Sequence, residues 1–179
     1  ANFDAGGNYL KNANGNISVF GSATLNVGGV NNRGGSYVTG GSINLIGSDI
    51  DNSQGKLQSG ASINLDTRNF LLNNNYGLVQ AQNGLDIKAS EINNSHGTFA
   101  ANQGLNISGT SLNNNSGSIL AGMGATIRID NTIQSQHSSI KSGGILDITA
   151  QQFDAAKSSI LAQGVVKISA EKILNLDGA

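Results

Sequence analysis

Glycine recurs at a nearly fixed distance along this chain, at Gly15, Gly35, Gly55, Gly77, Gly97 and Gly117, and Ser138 and Ser158 then take the same place. Successive intervals are 20, 20, 22, 20, 20, 21 and 20 residues. A period of this length means repeated modules, none of which can bury an apolar face alone. Neighbours must stack into one continuous core. With the opener as position one, position eleven reads Leu25, Leu45, Leu65, Ile87, Ile107, Ile127, Ile148 and Ile168. Position three reads Ile17, Tyr37, Leu57, Val79, Phe99, Ile119, Ile140 and Ile160. Position sixteen reads Val30, Ile50, Phe70, Ile92, Leu112, Thr132 (with Ile133 one step on), Phe153 and Ile173. Each unit thus carries an apolar residue at three points of a closed path.

Within a unit the apolar residues alternate with polar ones, as in Leu85-Asp86-Ile87-Lys88-Ala89 and Leu146-Asp147-Ile148-Thr149-Ala150. A period of two is that of a half-buried strand. Helical repeats would space their apolar residues by three and four, and so many Gly, Asn, Ser and Thr would weaken helix interiors. Twenty residues hold about three short strands with turns. The expectation is an all-β, single-domain parallel β-helix of about eight coils, ~4.8 Å apart along the axis. Position five, mostly Ala, Ser or Thr, supplies the small side chains a narrow interior needs opposite large ones. Before each opener stand Asn31-Asn32, Asp51-Asn52, Asn73-Asn74-Asn75, Asn93-Asn94 and Asn113-Asn114. Asn tolerates left-handed backbone, and stacked amides can bond one another. After residue 115 this ladder decays.

Hydrophobic residues are 37% of the chain and net charge is −1. High Gly with low charge can signal disorder, but disordered chains lack a regular apolar register. The basic residues are dispersed, so no nucleic-acid surface is indicated. No apolar run approaches the ~18 residues of a membrane span. Cys is absent, which excludes disulfides and thiolate metal sites.

The recurring Asn-Asn, two residues, Gly, then alternating aliphatics stands here as EINNSHGTFAANQGLNIS and SLNNNSGSILAGMGATIRI. It resembles the haemagglutinin repeats of filamentous haemagglutinin, which also build the stalks of contact-dependent growth-inhibition effectors. The resemblance covers roughly residues 15 to 177. It implies a right-handed parallel β-helix, secreted to the surface of a Gram-negative bacterium by an outer-membrane partner transporter that reads a separate domain. It also implies a segment cut from a longer exoprotein. The expected organisation is a partial coil over 1–14, Asn-rich repeats over 15–137 and diverged repeats over 138–179.

Three roles follow as expectations. The first is a structural rod holding a distal adhesive or toxic domain away from the cell. The second is binding of a receptor or glycan by the segment itself. The third is a β-helical polysaccharide lyase or hydrolase. Glycosidases set two carboxyls ~5–9.5 Å apart, and Asp66 and Asp86 lie on successive coils. Lys88 shares the position of Asp66, however, and Lys167 that of Asp147, so cross-strand ion pairs are the simpler expectation. No catalytic, cofactor or metal residue is assigned. His96 and His137 have no ligand partners at zinc spacing, and no helix follows the Gly doublets to make a phosphate loop.

The irregular coils are the better functional candidates, because insertions in repeat proteins map to surface loops. Coil three gains two residues near Arg68, Phe70, Leu72 and Tyr76, and coil six gains one near Asn131, Gln134, Gln136 and His137. These eight residues are the candidate interaction loops.

Overall fold

A computed structural model describes residues 2–4 and 7–174. Residues 1, 5 and 6, and residues 175–179 at the end of the diverged segment, lie outside the described residues. All regular elements among those described are strands, and all their pairings are parallel. The molecule is a β-solenoid of about eight turns. Three strands make one coil. In coil four they are Leu78–Ala81, Leu85–Lys88 and Glu91–Asn93. The first strands of successive coils form an eight-stranded sheet. The second and third strands form a fourteen-stranded one. They fuse from coil five on, where Leu105–Asn113 runs as a single strand.

The three apolar columns line the interior. Leu57, Leu65, Leu85, Phe99, Leu105, Ile127 and Phe153 are all fully buried. Ile107 lies between Ile87 and Ile127 in register. Tyr9–Lys11 pairs with Gly29–Asn31 and so forms the tail of a coil below the first. Tyr37 is the exception in chemistry. Its ring fills position three, but its hydroxyl is buried without a hydrogen-bond partner. Burial raises its pKa above the ordinary phenol value.

Position sixteen requires a correction. Phe70 is 53% exposed, and Leu72, expected on a surface loop, is 0% exposed. The two extra residues are absorbed upstream of Phe70, in a tight turn over residues 67–70. Pairing then resumes with Leu72 set between Ile50 and Ile92. The inward residue of coil three is therefore Leu72. In coil six the extra residue falls between Arg128 and Thr132, where the register shifts, and Ile133 rather than Thr132 is buried in the column.

The paired asparagines divide two tasks. The second of each pair points inward. Asn12 Nδ2 donates to Asn32 Oδ1 at 2.6 Å, Asn32 to Asn52 at 2.7 Å and Asn52 to Asn74 at 2.7 Å. Asn74 then donates to Asn94 at 2.8 Å, and Asn94 to Asn114 at 2.7 Å. The first of each pair faces out and caps the turn. Asn93 Oδ1 accepts from Ser95 N at 3.1 Å, and Asn31, Asp51, Asn73 and Asn113 do the same for the residue two ahead. Left-handed backbone falls on neither Asn of these pairs but on the residue before each opener: Asn14, Gly34, Gln54, Tyr76, His96, Ser116, His137 and Lys157.

This packing explains why Gly opens the first coils. A Cβ on Gly97 would lie 2.2 Å from Asn74 O and 2.7 Å from Asn94 Oδ1. Where the shorter Ser135 replaces Asn, the opener becomes Ser138. Its hydroxyl donates to Ser135 O at 2.7 Å and lies 2.7 Å from Ser135 Oγ. Ser158 continues this by bonding Ser135 O and Ser138 Oγ. Amide and glycine are exchanged for two hydroxyls that occupy the same space.

Candidate functional site

The two irregular coils bracket one stretch of the outer surface. In coil three the chain reverses through Arg68 and Asn69, at φ of 52° and 66°. Two successive left-handed residues and the 3.1 Å bond from Phe70 N to Thr67 O define a type I′ turn. Buried Thr67 anchors it, donating through Oγ1 to Phe70 O at 2.8 Å. Asp66 Oδ1 accepts from Arg68 N at 2.7 Å, and the Arg68 guanidinium donates to Asn26 Oδ1 two coils below. In coil six the extra residue produces a bulge at Asp130 and Asn131, inside the long strand Ala125–Gln134.

Between them the outer face of the third strands is hollowed into an open groove of about 430 Å³. Its exposed walls come from Leu71, Glu91, Asn93, Ser111, Asn113 and Gln134. The outward positions of these strands alternate with buried Leu72, Ile92 and Leu112, so the same period that builds the core builds the groove. Chemically it presents amides, hydroxyls and one carboxylate, with Leu71 at one end. Every backbone edge along it is already paired between coils.

The sequence candidates are scattered around this groove. Gln134 lines it. Phe70 lies in an adjoining depression with Asp49, Asn69 and Glu91. Asn131 lies in another, with Arg128, Thr149 and Glu171. Arg68 is exposed on the turn. Tyr76, Gln136 and His137 belong instead to the corner of the Asn turns. There Tyr76 stacks on His96 with centroids 4.5 Å apart and planes 14° off parallel. Gln136 Nε2 donates to Asp154 Oδ2 at 2.6 Å. Leu72 contributes only to the core. Sequence reasoning missed Glu91, Ser111 and Asn113, which belong to regular coils. Their outward phase was readable from alternation, but nothing in it signals a concavity.

The expected cross-strand ion pairs are not the ones formed. Asp66 and Lys88 are neighbours in register, but the Asp66 carboxylate serves the Arg68 turn. Asp147 lies beside Lys167 in register but pairs with Arg128 at 3.5 Å. Asp86 Oδ1 accepts from Asn106 Nδ2 at 2.7 Å. Among the described residues no group of three His, Cys, Asp or Glu could hold a metal ion. No helix among them is long and apolar enough to cross a membrane.

A parallel solenoid with an internal Asn ladder and a polar outer surface defines a class of elongated repeat proteins. The haemagglutinin repeat model matches this chain over residues 2–75, 71–122 and 100–178, and the chain belongs to that family. A comparison with curated proteins gives no match, and neither does a comparison with solved structures. Proteins of this family are secreted, surface-exposed adhesins, and two-partner secretion is associated with it.

Proposed function

We propose that this chain is a stretch of rigid stalk in a longer, two-partner-secreted exoprotein, an adhesin or a contact-dependent growth-inhibition effector. An outer-membrane transporter acts on a domain elsewhere in that exoprotein. The carrying observation is the continuity of pairing. Each coil bonds the next on all three walls, and the Asn ladder adds a fourth line of bonds inside. Stability then accumulates by nearest-neighbour contacts, which suits a spacer of arbitrary length. The role is mechanical rather than enzymatic. Asp66 and Asp86, the carboxylates a hydrolase would employ, are engaged by a turn amide and by Asn106.

The groove favours a second reading, in which the segment binds a receptor or glycan through polar side chains. Beads coated with the chain and applied to a glycan array and to cells separate the two. The stalk reading expects no saturable binding. Binding that Glu91→Ala or Asn113→Ala abolishes at unchanged melting temperature would replace it with the second reading.

A further inference from the structure

Position eight, on the corner between the first and second strands, reads Ser22, Ser42, Ser62, Gly84, Gly104 and Gly124 through six coils. It then becomes Ile145 and Val165. The fold does not ask for this change, since six coils turn the same corner with Ser or Gly. The new side chains point outward. Ile145 is 59% and Met123 62% exposed with a coil stacked above each, and Val165 and Leu161 hold the same outward phase in the last described coil. Ala125, Leu146 and Val166 stack in register, which places Ile145 directly beneath Val165. Met123 lies one coil lower, under Gly144. On the adjoining wall Leu120, Lys141 and Leu161 stack in one column. On the other side Lys167 stands two residues beyond Val165, next to the Asp147 that Arg128 already pairs.

We propose that this corner is a membrane-contact ridge, inserting its aliphatic tips into the headgroup region of an anionic phospholipid bilayer. Two features choose that occupant. The patch residues are Met, Ile, Val and Leu, without the aromatic and arginine anchors typical of protein hot spots. Lys141 and Lys167 stand on the two walls beside it, within reach of anionic headgroups that meet the ridge. The ridge is independent of the stalk's mechanical role and would hold the rod along a lipid surface near coils six to eight.

The test is flotation of the 179-residue chain with phosphatidylcholine–phosphatidylglycerol vesicles. The unaltered chain should float with them, and added salt should weaken binding. Ile145→Ser with Val165→Ser should lower the partition coefficient by about tenfold or more, since two aliphatic side chains leave the bilayer. Its melting temperature should hold, because Ser occupies this corner in the first three coils. Lys141→Gln with Lys167→Gln should remove the preference for anionic over pure phosphatidylcholine vesicles. An unaltered chain that stays with the aqueous fraction overturns the proposal, as does equal flotation of the serine variant. Self-association that the serine variant abolishes, without flotation, would assign the ridge to a second copy of the chain instead.

Discussion

Replacing Asn94 by Ala tests whether the inner amide ladder stabilises the rod or merely fills it. Asn94 is fully buried. Its amide donates to Asn114 Oδ1 at 2.7 Å and to Ser118 O at 3.2 Å, and its Oδ1 accepts from Asn74 Nδ2 at 2.8 Å. Alanine deletes all three bonds. At ~1 kcal/mol net for each, the loss would be about 3 kcal/mol. Asn74 keeps two other acceptors, Gly77 O and Thr98 O, so its donor is not stranded. Asn114 Oδ1 loses the donor that the ladder supplies. The balance stays at about 3 kcal/mol, read as a shift in urea midpoint at unchanged slope. Amide exchange should accelerate most in the turns at Asn94 and Asn114. Asn94→Asp is the sharper companion. It keeps the volume but points a carboxylate at the Asn114 oxygen, so burial and repulsion raise its folded-state pKa. It should be worse than Ala at neutral pH and regain stability as acid protonates it, because the protonated form is the one the fold tolerates. A loss below ~0.5 kcal/mol for Ala, or an Asp variant insensitive to pH, would refute the ladder as a source of stability.

Ile107→Asp places a charge among Ile87 and Ile127 with no partner and should lower stability by several kcal/mol, or unfold the central coils, measured by urea denaturation. Tyr37→Phe removes a buried hydroxyl that has no partner and should raise stability by about 1 kcal/mol. Because burial raises the folded-state phenol pKa, the unfolded chain ionises first. This contribution is present below pH ~10 and is lost as pH climbs beyond it, and the Phe variant should lack that alkaline loss. Lys157→Gly relieves an exposed left-handed residue at φ of 54° and should raise the thermal midpoint, by up to about 1 kcal/mol in stability.

The fold was legible because period and alternation are both core-derived. A slipped register would expose every inward residue of a strand, so the pattern at positions three and eleven leaves one solution. Position sixteen failed at Phe70 because an insertion can be absorbed before or after a given residue. Spacing alone does not say which. The turn chemistry that decides it, Thr67 anchoring two left-handed residues, lies in the identity of neighbours rather than in the repeat. The left-handed sites were misassigned for a related reason. Asn favours that conformation, but here its amide is worth more inside the ladder, so Tyr76, His96 and Ser116 take the strained place instead. The ion pairs were misjudged because register brings Asp66 to Lys88, while a backbone donor at Arg68 competes for the same oxygen. Of the eight candidate loop residues only Gln134 lines the groove. The groove's middle is built by regular coils and carries no irregularity to read.

The exchange of amides for hydroxyls after Asn114 has a consequence for a rod under tension. Below that point a pull on the axis is shared by an unbroken chain of short amide bonds. Above it the internal line passes from Asn114 Nδ2 to Ser135 Oγ at 3.2 Å and on through Ser138 and Ser158. A filament yields at its weakest seam, not at its average one. In a force-extension trace the coils beyond Ser135 should peel away first, at lower force, and the Asn-rich coils should follow at a higher and more uniform plateau. The change of residue type therefore sets where the rod gives way, and leaves the lower coils standing after it has done so.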